Sequence, residues 1–156
     1  MRVLETEAYI DALMDIVEQG RDVPLMVAGH SMEPFLVHER DSVLLSPVRC
    51  VLRKGDIALY KRENGQYILH RICRIRQDEF YFVGDNQNIC DIEGPIRREQ
   101  ICAVVHQVRR HGKEIREGEL LWHFFQREWL WLIRLRRYLK RLPFLRLLGR
   151  RASKGS

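Results

Sequence analysis

The sequence predicts a mainly β protein with a helix at each end. Between residues 23 and 116, short apolar and β-branched runs alternate with Gly, Pro, Asn and Asp, which is typical of strands joined by turns. Apolar residues recur at helical spacing in residues 5–19 and again in 119–149. A hydrophobic fraction of 46% in 156 residues is enough for one domain with its own core. We therefore expect one domain over residues 1–118, followed by a helical tail.

The first helix is predicted over residues 5–19. Its apolar residues, among them Tyr9, Leu13 and Val17, recur at helical spacing, and Gly20 suits the left-handed position that ends many helices. Acidic residues interrupt this segment, which has no apolar stretch of the kind found in signal peptides or membrane spans. We therefore expect no transmembrane segment at the N-terminus.

The β core is predicted over residues 23–116 as six segments. They are VPLMVA (23–28), SVLLS (42–46), DIALYKR (56–62), YILHRICRI (67–75), EFYFVGD (79–85) and QICAVVHQVRR (100–110). Asn64 and Gly65 lie between the third and fourth segments, and Asn-Gly is the strongest short signal for a hairpin. We expect residues 57–62 and 67–75 to pair. Strand alternation then puts His70 on one face, with Ile68 and Ile72.

Residues 29–36, GHSMEPFL, are predicted to form a shaped loop. Pro34 has a fixed φ and no N–H, and it disfavours helical geometry at Glu33. Gly29 tolerates backbone conformations that other residues resist. This composition suits neither a buried strand nor a helix, and it indicates a loop that presents Ser31.

Four motifs in order resemble the signal peptidase I family of serine proteases. They are GHSMEPFL, LRKGDIALY (52–60), ILHRICRI (68–75) and FVGDNQNICD (82–91), and the resemblance covers about residues 24–109. It implies a signal-peptidase-like β-barrel or complex β fold. It also implies a serine endopeptidase that cleaves signal- or leader-type peptides after small residues.

The resemblance also implies a subtype. Most bacterial members carry a lysine as the general base where this chain has His70. A histidine there is similar to the endoplasmic-reticulum, archaeal and sporulating-bacterium type. In that type two aspartates follow at the spacing that Asp85 and Asp91 have here.

The same residues suit nucleophilic catalysis. A serine hydroxyl needs a base to take its proton, and an imidazole titrates near neutrality, so Ser31 is the candidate nucleophile and His70 its general base. A carboxylate would orient the imidazole, and Asp91 is the first candidate for this role, with Asp85 as its competitor. Asp85 lies in a turn sequence and could equally hold Arg71 or bind backbone N–H groups. The backbone N–H of Ser31 is the simplest donor for the oxyanion.

Met32 and Pro34 are the candidate substrate-binding residues. In the resembling family this segment borders a groove that receives the substrate as an extended strand, with shallow pockets for small residues. An extended peptide gains main-chain hydrogen bonds at an exposed sheet edge. Residues 23–28 are a candidate for that edge, and an ordinary core strand is the alternative. The partner implied is a peptide or protein with an extended cleavage segment.

The positive charge of the chain lies in its tail. The net charge is +6, but residues 119–156 carry ten Lys or Arg side chains against two acidic ones. In residues 119–149 arginines interrupt the apolar run, and a charge at the bilayer centre costs about 2.5–3.5 kcal/mol, so a membrane span is disfavoured. A cationic amphipathic helix is expected instead, with Leu121, Phe124 and Trp131 on its apolar face.

Two surfaces compete for this helix: an anionic membrane, and the β domain or another subunit. Nucleic acid is not expected, because no binding motif accompanies the charge. Residues 150–156 are predicted to be disordered. The protein is expected to be cytoplasmic or peripheral at a membrane.

No cofactor or metal is expected. The four cysteines, at 50, 73, 90 and 102, have no C-x-x-C pair and no zinc-ligand spacing with histidine. Scattered cysteines of this kind are mostly small buried residues of a reducing compartment.

Two other functions compete with a signal-type peptidase. One is a peptide-binding module without catalysis, although the presence of Ser31, His70, Asp85 and Asp91 together disfavours it. The other is a protease similar to the self-cleaving repressors of the SOS response, which share the β fold and use a serine and a lysine. This chain has His70 in place of the lysine and no helix-turn-helix before the β region.

Overall fold

The computed structural model describes residues 3–87 and 89–132. Its helices and strands follow in chain order: α1 (Val3–Glu18), β1 (Val23–Met26), β2 (Ser42–Ser46), β3 (Ile57–Lys61), β4 (Tyr67–Arg76), β5 (Glu79–Val83), β6 (Glu93–Arg97), β7 (Ile101–Arg110), β8 (Lys113–Arg116) and α2 (Leu120–His123). Short 3₁₀ turns at Ile89–Asp91 and Arg98–Gln100 flank β6. The mainly β class and the first helix are confirmed.

The strands form one antiparallel sheet in the order β1-β2-β7-β3-β4-β5-β6. β8 pairs with residues 107–110 of β7. β1 and β6 are therefore the edge strands of this path. The predicted hairpin is confirmed, because β3 pairs with β4 and the two strands are joined through the turn at Gly65.

Apolar side chains cover the sheet on both faces. In β3, Ile57 and Leu59 belong to a cluster that includes Val17 of α1, whereas Ala58 and Tyr60 belong to a second cluster. This division follows from strand alternation, since neighbouring residues point to opposite faces. The run of four buried residues in β3 reflects its place inside the sheet, between β4 and β7.

The described start of the tail packs on the β domain. α2 continues through a π-helical turn, Phe124–Glu128, into helical residues 129–132. Trp122 and Phe125 pack on Phe35, with ring centroids 6.2 and 4.4 Å apart. The predicted face of Leu121, Phe124 and Trp131 is exposed. The remainder of the predicted helix, 133–149, and the predicted disordered end, 150–156, lie outside the described residues.

The four cysteines all lie within the described residues and form no disulfide. Cys73 in β4 is buried, but Cys50 and Cys90 are exposed. The expectation of burial is wrong for those two, which lie in segments outside the strands and are not members of the apolar clusters. Among the helices described here, none has both the length and the apolar character to span a bilayer.

Candidate active site

Ser31 is presented by a loop of consecutive turns between β1 and β2, as the sequence predicts. We call residues 29–36 the Ser31 loop. Gly29 has φ +83°, and its N–H donates to Nδ1 of His38 at 3.0 Å. The Leu36 N–H donates to the Met32 carbonyl at 2.9 Å. Met32, Phe35 and Leu36 are buried, so the core holds the loop from below while Ser31 stays half-exposed.

The turn after β5 holds the Ser31 loop from the other side. The Asn86 N–H donates to the Ser31 carbonyl at 2.8 Å, and the Asn86 side chain donates to the His30 carbonyl at 3.2 Å. Gly84 lies so close that a methyl group on its Cα would stand 2.6 Å from the backbone carbonyl oxygen of Ser31. Only a residue without a side chain permits this approach. The sequence analysis missed this role, although Gly84 and Asn86 belong to one of its four motifs.

The sheet brings His70 to the level of this contact. Arg71 of β4 pairs with Val83 of β5, so His70 lies one residue beyond that pair, level with Gly84. On its other side His70 pairs with Ala58 of β3. The turn residue that contacts Ser31 is therefore level with His70 along the sheet.

The imidazole of His70 is buried and in its neutral form. Only 5% of the residue is exposed, and Nδ1 has no hydrogen-bond partner among residues 3–87 and 89–132. Burial lowers the pKa of His70 to about 4, and the nearby Glu93 carboxylate opposes part of that effect. His70 is therefore ready to accept a proton, but it is not hydrogen-bonded to Ser31.

A polar cluster that the sequence analysis missed lies beside His70. The Tyr60 ring meets the imidazole edge to face, with centroids 6.4 Å apart. Its hydroxyl donates to Glu93 at 2.8 Å, and Arg62 donates two hydrogen bonds to the same carboxylate. Alternation in β3 was a usable signal, because it puts Ala58, Tyr60 and Arg62 on one face and Ala58 is the partner of His70. Glu93 is 31 residues away from Arg62 in the sequence, so only the folded sheet brings its carboxylate to this cluster.

Asp85 is held by Arg71. The Arg71 guanidinium donates to both carboxylate oxygens at 2.7 Å and to the Gly55 carbonyl at 2.8 Å. The Arg71 and Asp85 side chains are 2% and 0% exposed. The guanidinium also lies 5.4 Å from the centroid of the Phe35 ring. The expectation that Asp85 could hold Arg71 is confirmed, and the pair links β4, the turn after β5 and the Ser31 loop.

Asp91 ends the 3₁₀ turn Ile89–Asp91 and is exposed. β5 pairs Phe82 with Glu93 of β6. Asp91 therefore lies two residues before Glu93, in the turn that leads into β6 and outside the paired strands.

The two candidate substrate residues differ in their environment. Met32 is 2% exposed and belongs to the larger apolar cluster. Pro34 is exposed, and its carbonyl accepts a hydrogen bond from Arg110 at 3.0 Å. β1, within the predicted segment 23–28, lies at the edge of the sheet, and among the described strands it pairs only with β2.

No three His, Cys, Asp or Glu side chains of the described residues are grouped so that they could hold a metal ion. The chemically relevant groups of the two motifs are instead the half-exposed Ser31 hydroxyl and the buried His70 imidazole. Such a pair can carry out acyl transfer without a cofactor.

The Peptidase S24-like family matches residues 2–109, more than two thirds of the chain. The chain belongs to the Peptidase S24-like family. The matched residues include Ser31, His70, Asp85 and Asp91 and end before the tail. Membership in this serine peptidase-like family supports a peptidase-type or self-cleaving-repressor-like function. A comparison with curated proteins finds no match to the chain.

Proposed function

We propose that this S24-like protein is a serine endopeptidase that cleaves an extended signal- or leader-type peptide after a small residue. Ser31 is the nucleophile and His70 the general base. The observation that carries the proposal is the contact of Ser31 with Gly84. By strand register Gly84 lies opposite His70 of the neighbouring strand β4. The motif order that resembles signal peptidase I supports the substrate class.

The reaction follows from the protonation state of His70. As the Ser31 oxygen attacks the peptide carbonyl, the neutral imidazole takes the hydroxyl proton, and the Ser31 N–H donates to the oxyanion. The imidazolium then gives its proton to the leaving amine, and an acyl-serine remains. Water, deprotonated by His70, releases the acyl group and restores the hydroxyl. Because catalytic hydrogen bonds often tighten only with substrate bound, we expect the Ser31 and His70 contact to form in the complex.

The imidazolium formed in this reaction needs a negative charge nearby. Both oxygens of Asp85 accept hydrogen bonds from Arg71, so we give Asp85 a positioning role. Asp91 is the proposed carboxylate for the buried Nδ1, because its spacing after Asp85 is the one that the resemblance to signal peptidase I implies. Glu93 adds negative potential through space.

These roles make different predictions for two matched variants. Asp91→Asn should lower kcat and change the unfolding midpoint in urea only slightly, because Asp91 is exposed. Asp85→Asn should lower that midpoint, because it removes the charge that balances the buried Arg71. The reverse pattern would exchange the roles of the two aspartates.

The proposed substrate adds a strand to the sheet edge. Within residues 3–87 and 89–132, β1 has a partner only in β2, so its other side is available for main-chain hydrogen bonds. In this arrangement Met32 supports the Ser31 loop from the core, and Pro34 faces the substrate. The preference for small residues comes from the resemblance to signal peptidase I.

The direct test is mass spectrometry of extended peptides with Ala-x-Ala sites, incubated with the wild-type protein, Ser31→Ala and His70→Gln. We expect cleavage after a small residue by the wild type and no cleavage by either variant. Peptide binding without cleavage by the folded wild type would contradict the proposal and favour a binding module.

Self-cleavage is the second candidate function, and membership in the S24-like family favours it. It would show as a mass change of the protein incubated alone, with a first-order rate that does not depend on protein concentration. Ser31→Ala would abolish it. Cleavage of added peptides with an intact enzyme would instead support the first proposal.

A further inference from the structure

The described turns of the tail carry apolar side chains on two opposite sides. Trp122, Phe125 and Leu130 are buried against the β domain. On the other side Leu120 is 90% exposed and Trp131 is 63% exposed, and Leu121 and Phe124 are also exposed. The β domain therefore covers only one of the two apolar faces of these turns.

The exposed residues follow a helical line. Leu120, Phe124, Arg127 and Trp131 are spaced i, i+4, i+7 and i+11, which places them on one side of a helix. We call Leu120, Leu121, Phe124 and Trp131 the tail face. With Arg127 beside it, the tail face combines aliphatic and aromatic side chains with a cation, as interfacial helices do.

The charge next to the tail face identifies its partner. The sequence of residues 133–156, outside the described residues, has nine Lys or Arg side chains and no Asp or Glu. Basic residues beside a membrane are attracted to anionic lipid headgroups, and tryptophan favours the headgroup region. We propose that the tail face binds the surface of an anionic lipid bilayer, with the basic sequence after it adding electrostatic attraction.

Such binding would bring the candidate active site to the membrane. The buried side of the same turns packs on Phe35 of the Ser31 loop. The Gln126 side chain donates to Asp56 at 2.9 Å, which also fixes these turns to the domain. The Ser31 loop thus lies directly behind the membrane-binding turns. If Ser31 is the proposed nucleophile, its substrates are peptides held at the bilayer surface.

The test is sedimentation of the full chain with vesicles of phosphatidylglycerol mixed with phosphatidylcholine, and with vesicles of phosphatidylcholine alone. We expect binding to the mixed vesicles, weakened by added salt, and little binding to the neutral ones. Leu120→Ser/Trp131→Ser should raise the lipid concentration needed for half-maximal binding by about tenfold or more. The matched control is Met26→Ser/Val51→Ser, which changes two exposed apolar residues outside the tail and should bind like the wild type.

The proposal would be overturned by no binding to the mixed vesicles, by equal binding to neutral ones, or by wild-type binding of Leu120→Ser/Trp131→Ser. A wild-type dimer in light scattering that becomes a monomer in this variant would also overturn it, since the tail face would then cover a second copy. Ser31→Ala should bind vesicles like the wild type. The membrane result is thereby separate from the success or failure of the proposed catalysis.

Discussion

Replacing Gly84 with alanine should disable the Ser31 site while the protein still folds. The added methyl group would stand 2.6 Å from the Ser31 carbonyl oxygen and 3.0 Å from both the Ser31 Cβ and the Gln87 side-chain oxygen, whereas ordinary contact begins at 3.4 Å. Ser31 must therefore retreat by roughly 0.8 Å. The same movement would stretch the 2.8 Å hydrogen bond from the Asn86 N–H to Ser31.

The expected loss of rate follows from that displacement. A misplacement of about 1 Å costs an enzyme about 10²-fold in rate, because the reacting atoms leave their productive geometry. Overpacking a well-filled site costs about 1–3 kcal/mol of folding free energy. We therefore expect kcat/KM of Gly84→Ala to fall by about two orders of magnitude.

The assay is kcat/KM on a cleaved peptide, together with urea unfolding. Gly65→Ala is the control, because Gly65 lies in the β3–β4 turn with φ +88° and nothing within 4 Å of an added methyl group. Its strained backbone should cost about 1 kcal/mol of stability without a loss of rate. Wild-type kcat/KM in Gly84→Ala, or an equal loss of rate in Gly65→Ala, would refute the reasoning.

Four further variants test the packing and charges around the site. His70 has a pKa of about 4 in the folded protein and 6.5 in the unfolded chain, so only the unfolded chain gains a proton as the pH falls between these values. The free energy of unfolding should therefore decrease by about 3 kcal/mol over that range. Urea unfolding of His70→Gln at the same pH values should lack this decrease. Asp85→Ala leaves the Arg71 charge buried and unpaired, so it should lower the free energy of unfolding by about 3–5 kcal/mol. Arg71→Met/Asp85→Leu removes both charges and should lower the free energy of unfolding by less. Equal losses in the two variants would contradict a buried ion pair. Phe125→Ala removes a ring packed on Phe35 and should cost about 3–5 kcal/mol in urea unfolding, and a loss near zero would mean that the tail is not docked.

Local patterns predicted much of the fold. The helix at 5–19 and the hairpin around Gly65 follow from spacing and turn chemistry within short stretches. The exposed loop at Ser31 follows from its Gly and Pro. These features need no knowledge of distant partners, so the sequence alone indicates them.

The remaining features depend on contacts between distant segments. Gly84 resembles any turn glycine until the Ser31 loop is packed against it. The choice of Arg71 as the partner of Asp85, and the position of Glu93 near His70, are set by strand register. Which face of the tail meets the domain was also unpredictable, because apolar residues occupy both faces.

The central claim is that a neutral His70 activates Ser31. The most direct measurement is the rate at which a fluorophosphonate probe labels Ser31 as the pH is lowered from neutral, in the wild type and in His70→Gln. The account predicts steady labelling of the wild type until the pH approaches about 4, where the imidazole gains its proton, and labelling of His70→Gln that is at least about 10²-fold slower. Equal labelling of both proteins, or no labelling of Ser31 in the folded wild type, would contradict it.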